Sequence, residues 1–76
     1  MPYVNIKVTG GSEAPTVEQK NEIMREVTQL LGRILNKNPA TTVVIIDEVE
    51  MDNWGVGGES ATIRRQKAKS QGAGAA

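Results

Sequence analysis

Pro2 is the residue of this chain whose position offers the most direct chemistry. It follows Met1 and heads the run Pro2-Tyr3-Val4-Asn5-Ile6-Lys7-Val8. Aminopeptidases that trim an initiator methionine act before a small residue, and proline qualifies. Trimming turns the Pro2 nitrogen into a free secondary amine on a rigid ring. An ordinary α-amino group has a pKa of about 7.7–8.0. Burial in an apolar pocket disfavours the ammonium and pushes that value down. An amine that is neutral near physiological pH is a usable general base. The plainer reading is a Met-Pro start with no chemistry attached, because proline is tolerated at strand starts and edges.

Composition removes most other catalytic devices. The 76 residues contain no histidine and no cysteine. That excludes a histidine-based triad, the usual zinc ligand sets and a disulfide framework. A single small domain is the ceiling for this length, and its own core is marginal. With no staple of either kind, oligomerisation is the remaining way to complete the core.

Net charge is zero, from nine Lys+Arg and nine Asp+Glu, but it is unevenly spread. Residues 1–63 hold all the acidic groups and five of the basic ones; Arg64, Arg65, Lys67 and Lys69 follow. An acidic body argues against a nucleic-acid face. The basic segment lacks the interleaved aromatics of a single-strand binder and reads as a solvated end. No apolar run approaches the roughly 20 residues that span a bilayer. The N-terminus has neither a basic region nor an apolar core of signal-peptide type. The expectation is a cytoplasmic protein without nucleic-acid or membrane partners.

The elements that must position Pro2 follow from pattern. Pro2, Val4, Ile6 and Val8 alternate with Tyr3, Asn5, Lys7 and Thr9, the period of a strand buried on one face. Gly10-Gly11-Ser12-Glu13-Ala14-Pro15 breaks it as a loop. Thr16-Val17-Glu18-Gln19 fits a capping box. Ile23, Met24, Val27, Leu30, Leu31, Ile34 and Leu35 then form one helical stripe, with Gly32 read as permitting close approach to a sheet. The helix should end around Asn36-Lys37-Asn38, since Pro39 forces Asn38 out of helical conformation. Thr41-Thr42-Val43-Val44-Ile45-Ile46 reads as a strand buried on both faces, parallel to the first. Asp47–Asp52 lacks the glycine and the closing glutamate of a calcium loop and reads as a solvated connection. Asn53-Trp54-Gly55-Val56-Gly57-Gly58-Glu59 reads as a hairpin turn rather than a phosphate loop, with Ser60-Ala61-Thr62-Ile63 as its second strand. The domain is expected to span 1–65, with 66–76 a disordered tail that lacks the apolar content to order itself.

In order and spacing these pieces resemble the 4-oxalocrotonate tautomerase family of the tautomerase superfamily. The resemblance covers residues 2 to about 65. It is carried by Met1-Pro2-Tyr3-Val4-Asn5-Ile6-Lys7, Glu18-Gln19-Lys20, Val43-Val44-Ile45-Ile46-Asp47-Glu48-Val49 and Asn53-Trp54-Gly55-Val56-Gly57-Gly58-Glu59. It implies an α+β fold: a β-α-β protomer with a small C-terminal hairpin, assembled into dimers and then a hexamer, a trimer of dimers.

It also implies an isomerase. The amino-terminal proline, here Pro2, shuttles a proton between oxygen and carbon of an enol or dienol of a small 2-oxo or 2-hydroxy acid, with no cofactor and no metal. Trp54 stands where the family has an aromatic pocket residue, and a plain core or interface role is open to it as well. The family's substrate-binding arginines have no counterpart: Gly11-Ser12 and Val43 or Val44 occupy their places. Lys7, Arg64 or Arg65 are the cations left to supply charge. Water addition or an iminium adduct on the same proline, as in hydratase and decarboxylase relatives, is the alternative within the scaffold. A non-catalytic oligomerising module is the alternative outside it.

Overall fold

β1 (Tyr3–Thr9) and β2 (Val43–Val49) pair in parallel, with Tyr3 beside Val43 and Thr9 beside Val49. The 19-residue helix α1 (Val17–Leu35) makes the crossover between them. These elements come from a computed structural model that describes residues 1–70. A second sheet, β3 (Gly55–Val56) against β4 (Glu59–Ser60), is antiparallel. It leads directly into α2 (Ala61–Ser70). Short 3-10 turns at Gly11–Glu13, Pro39–Thr41 and Met51–Asn53 link the pieces.

The boundaries of α1 have local causes. The Gln19 N–H donates to the Thr16 hydroxyl at 3.1 Å, and the Thr16 N–H donates to the Gln19 side chain at 2.9 Å. This capping box satisfies two N–H groups that the helix itself cannot. At the other end Asn36 adopts φ 54° and ψ 43°, the left-handed conformation that asparagine tolerates better than most residues. Asn38 is extended, as the following proline requires, and its side chain accepts from the Ala40 N–H at 2.9 Å. Gly32 does not face a close approach to the sheet: a Cβ there would stand 3.6 Å from the Lys37 carbonyl, an ordinary contact.

The hairpin follows the sequence expectation only in part. Gly57 and Gly58 both have positive φ, 62° and 88°, as a tight two-residue turn demands. The second strand is shorter than expected, because Ala61-Thr62-Ile63 turns helical. The Ile63 N–H donates to the Ser60 hydroxyl at 3.2 Å, an N-cap that starts α2 and ends β4. α2 also runs through 66–70, a stretch expected to be disordered. The remainder of that expected tail, 71–76, lies outside the described residues. β2 is displaced as well: Thr41 belongs to a 3-10 turn, and the strand continues through Asp47, Glu48 and Val49. Asp47 and Glu48 are therefore not a loose connection. Asp47 accepts from Asn5 at 2.9 Å and Lys7 at 3.0 Å, and Glu48 from Lys20 at 2.6 Å.

Those bonds also tell the two sheet faces apart. Glu48 shares a face with Val44, Ile46, Val4, Ile6 and Val8, and its ion pair with Lys20 marks this as the face under α1. Tyr3, Val43 and Ile45 lie on the opposite face, which none of the described residues covers; they are 64, 37 and 37% exposed. β2 is thus buried on one face in the protomer, not on two. The far end of the α1 stripe is open too, with Ile34 65% exposed. Ala61 is the one fully buried apolar side chain among the described residues. The radius of gyration is 16.2 Å, where a compact chain of this length has about 11 Å. Among the described residues, no helix is long and apolar enough to cross a membrane.

Two outcomes test these local causes. Thr16→Ala removes one half of the capping box and should destabilise the protein by about 1 kcal/mol, read from the denaturant midpoint at fixed protein concentration. Glu13, which ties α2 to the body through Arg65, has its pKa lowered from 4.5 to about 2 by the Arg65 hydrogen bonds, with help from Thr9. A carboxylate lowered on folding stabilises the folded state above its ordinary pKa, and that contribution is lost as pH falls through the folded value. The tether should therefore hold at neutral pH and loosen between about pH 4.5 and pH 2. The Glu13 side-chain resonance followed by NMR should show that midpoint, and Arg65→Gln should raise it towards the ordinary carboxylate range, with the Thr9 bond still holding it lower.

Candidate active site

Pro2 sits half-buried at the open end of the β1–β2 pair. Its carbonyl accepts from the Val43 N–H at 3.0 Å, which extends the parallel ladder by one bond beyond Tyr3. The ring is therefore held by strand pairing and not left on a frayed end. The next residue, Tyr3, pairs with Val43 on the uncovered face, whereas strand alternation puts Pro2 on the side of Val4.

Trp54 lies elsewhere. It follows the 3-10 turn Met51–Asn53, which begins two residues after the Val49 end of β2. Its N–H donates to the Met51 carbonyl at 3.3 Å, and its own carbonyl accepts from Ala61 at 2.7 Å. The indole is half-buried at the root of α2. Because the strands are parallel, Pro2 marks one end of the sheet and Trp54 the other. Six residue steps at about 3.3 Å each put roughly 20 Å of strand between them. One protomer does not bring the two expected site residues together.

The cations considered for substrate charge are also sorted by the fold. Lys7 is on the uncovered face, paired with Asp47. The Asp47 carboxyl is held below its usual range by the Asn5 and Lys7 hydrogen bonds. Arg64 reaches back over the hairpin turn, its guanidinium 3.8 Å from where a Cβ on Gly57 would stand. Lys67 is ion-paired with Glu59, which lowers the Glu59 pKa. Arg65 is gripped on one edge by Glu13: Nε donates to Oε2 at 2.6 Å and Nη2 to Oε1 at 3.1 Å. The Thr9 hydroxyl donates to the same carboxylate at 2.7 Å. The Arg65 pKa is raised in turn.

Glu13 and Arg65 border an open cleft of about 470 Å³ between the Gly11–Glu13 turn and α2, with Ser12, Met51, Gln66 and Lys69 also on its walls. Sequence reading missed it, because it took Ala61–Ile63 as strand and 66 onward as tail. The available signal was Ser60, an N-cap residue placed three before the Ile63 N–H it accepts from. Nothing local announces the Glu13–Arg65 pair, which spans 52 residues.

Comparison with known proteins bears on what this arrangement does. The family model described as tautomerase enzyme matches residues 2–64. The chain is 63% identical over 68 residues to the probable tautomerase K2 of Dickeya dadantii, covering 90% of this chain and 98% of that one. The solved structure of DmpI from Helicobacter pylori superimposes with a TM-score of 0.78 at 48% identity, covering 86% of this chain and 97% of the other. A heterohexameric 4-oxalocrotonate tautomerase from Chloroflexus aurantiacus superimposes with a TM-score of 0.72 at 29% identity, covering 82 and 95%. The β-α-β order and the antiparallel hairpin are thus those of a known enzyme group, and this chain is a tautomerase, an isomerase of the 4-oxalocrotonate tautomerase family.

Proposed function

We propose that the protein is a cofactor-independent tautomerase acting on the enol or dienol forms of small 2-oxo acids, with Pro2 as general base and then general acid. The observation that carries this reading is the anchoring of Pro2 by the Val43 N–H at 3.0 Å. It gives the proline a defined position at the head of β1 once Met1 is removed. Initiator methionines are trimmed in the cytoplasm, so the active form arises there. The neutral amine takes the proton from the 2-hydroxyl as the carbonyl forms. The resulting pyrrolidinium delivers a proton to carbon at the far end of the enol system. One proton moves from oxygen to carbon, and nothing is oxidised or reduced.

The placement of Pro2 and Trp54 beyond opposite ends of the sheet, with roughly 20 Å of strand between, points to a site built from two copies. β1 has a free edge, and two copies can pair those edges antiparallel about a two-fold axis. That pairing sets the Thr9 end of one sheet beside the Pro2 end of the other. The partner's Trp54 region then lies over the first copy's proline and desolvates it, lowering its amine pKa. The uncovered face carrying Tyr3, Val43 and Ile45 is available for stacking such dimers into a homohexamer. The hexameric relative supports a multiple of this size.

Three measurements test the reading. Protein purified with Met1 retained should have almost no activity in an enol-to-keto ultraviolet assay, because an amide nitrogen is not a base; equal rates in the retained and processed forms exclude Pro2. The rate for processed protein should rise with pH through the amine pKa, since the neutral form must accept the proton. Ile45→Lys places a charge on the uncovered face and should lower the mass seen by light scattering, with activity falling in parallel. Full activity in a monomeric variant excludes a shared site.

A further inference from the structure

We infer that Asp52 and Thr62 are positioning residues for the active site: together they clasp the turn that carries Trp54 to the first turn of α2. This rests on the reading above, in which Trp54 covers the partner's Pro2. It adds what fixes that cover in place.

The clasp has two links. The Ala61 N–H, first in α2, donates to the Trp54 carbonyl at 2.7 Å. The Thr62 hydroxyl, from the second residue of α2, donates to Asp52 Oδ1 at 2.5 Å, a length found for hydroxyl donors on a charged acceptor. Asp52 and Trp54 belong to one rigid piece. Trp54 caps the Met51–Asn53 turn, whose Asn53 N–H donates to the Glu50 carbonyl at 2.8 Å. Turn and helix are therefore tied at two points, and two points fix an orientation where one leaves a pivot. Ala61 is 2% exposed, so the backbone link is shielded from water. Asp52 is exposed, and a substitution there removes the side-chain link without touching the core.

The role of the second link is positional. Water competes for an exposed hydrogen bond, so its net contribution to folding is small. What it restricts is rotation of the turn about the Ala61 link, and with it the direction of the half-buried indole. Desolvation of an amine depends on close cover, and a displaced ring lets water back. Losing Asp52 then acts on the amine in two opposite ways. Removing a carboxylate charge lowers an amine pKa, whereas rehydration raises it. Thr62→Val breaks the same bond with no change of charge, so it isolates the second effect.

The test begins with fluorescence, because Trp54 is the chain's one tryptophan. It uses Met1-retaining protein, so it does not need Pro2 chemistry. Acrylamide quenching should rise about 1.5-fold or more in Thr62→Val and in Asp52→Ala, as a locally opened turn exposes the indole. The double variant should match the single ones, since both remove one bond. Thr62→Ser keeps the hydroxyl and should match the unsubstituted protein. Unchanged quenching in Thr62→Val overturns the proposal.

Processed protein is then assayed with phenylenolpyruvate across pH. Thr62→Val should move the rising limb upward by about half a pH unit, which is about a threefold loss of kcat/KM below the amine pKa and none on the high-pH plateau. Thr62→Ser should restore the profile, and light scattering should give one mass for every variant. A loss equal at all pH values, a downward shift or a fallen mass also overturns the proposal. Equal rates for Met1-retaining and processed protein, with quenching raised, reject Pro2 as the base and leave the clasp on Trp54 assigned.

Discussion

The parallel pairing of β1 with β2 is the constraint on which the rest of this structure depends. Parallel strands need a long crossover, and α1 supplies it from one side. A single helix covers a single face. The other face is left with tyrosine, valine and isoleucine exposed, and the described residues form almost no core of their own. The protomer is a half-finished layer structure, and apolar surface of this kind is removed from water by association. The same parallel geometry that leaves a face bare also carries Pro2 and Trp54 to opposite ends of the sheet.

The polar contacts follow a consistent division of labour. Lys20 with Glu48 fastens the helix to the sheet on the covered face. Asn5 and Lys7 with Asp47 bridge the two strands on the uncovered face. Thr9, Glu13 and Arg65 tie the end of β1 to α2. These pairs are solvent-exposed, so each contributes little to net stability. Their effect is positional. The Glu13 carboxylate is held well below its ordinary pKa, so it stays ionised and keeps Arg65 oriented across the working range of pH.

A chain without histidine or cysteine takes its acid–base chemistry from a backbone amine, a lysine, a carboxylate or its one tyrosine. The lysines and carboxylates on the sheet and α2 in this fold are largely spent on pairing with one another: Lys7, Lys20 and Lys67 each face an acidic partner. A proline nitrogen at the head of a strand is exempt from that competition, because its ring is fixed through the backbone and not through a side chain.

Much of this was legible in the residues themselves, because local physics decides it. Alternation marked β1, threonine and glutamine marked the start of α1, and Asn36-Lys37-Asn38-Pro39 marked its end. The paired glycines marked the hairpin. Each depends on neighbours within a few positions. The resemblance to a family likewise rests on short, ordered motifs, and it carried the fold, the enzyme class and the interest in Pro2 and Trp54. Where the sequence misled, a longer-range interaction prevailed. Asp47 and Glu48 look like loop residues until Lys7, Asn5 and Lys20 neutralise them within a strand. Ala61 onward looks like strand and tail until Ser60 caps a helix and Arg65 finds Glu13, 52 positions away. The distance between Pro2 and Trp54, the bare face beside Val43 and Ile45, and the cavity under α2 were decided by tertiary structure alone. They depend on which end of one strand lies beside which end of another, and no local pattern of residues encodes that.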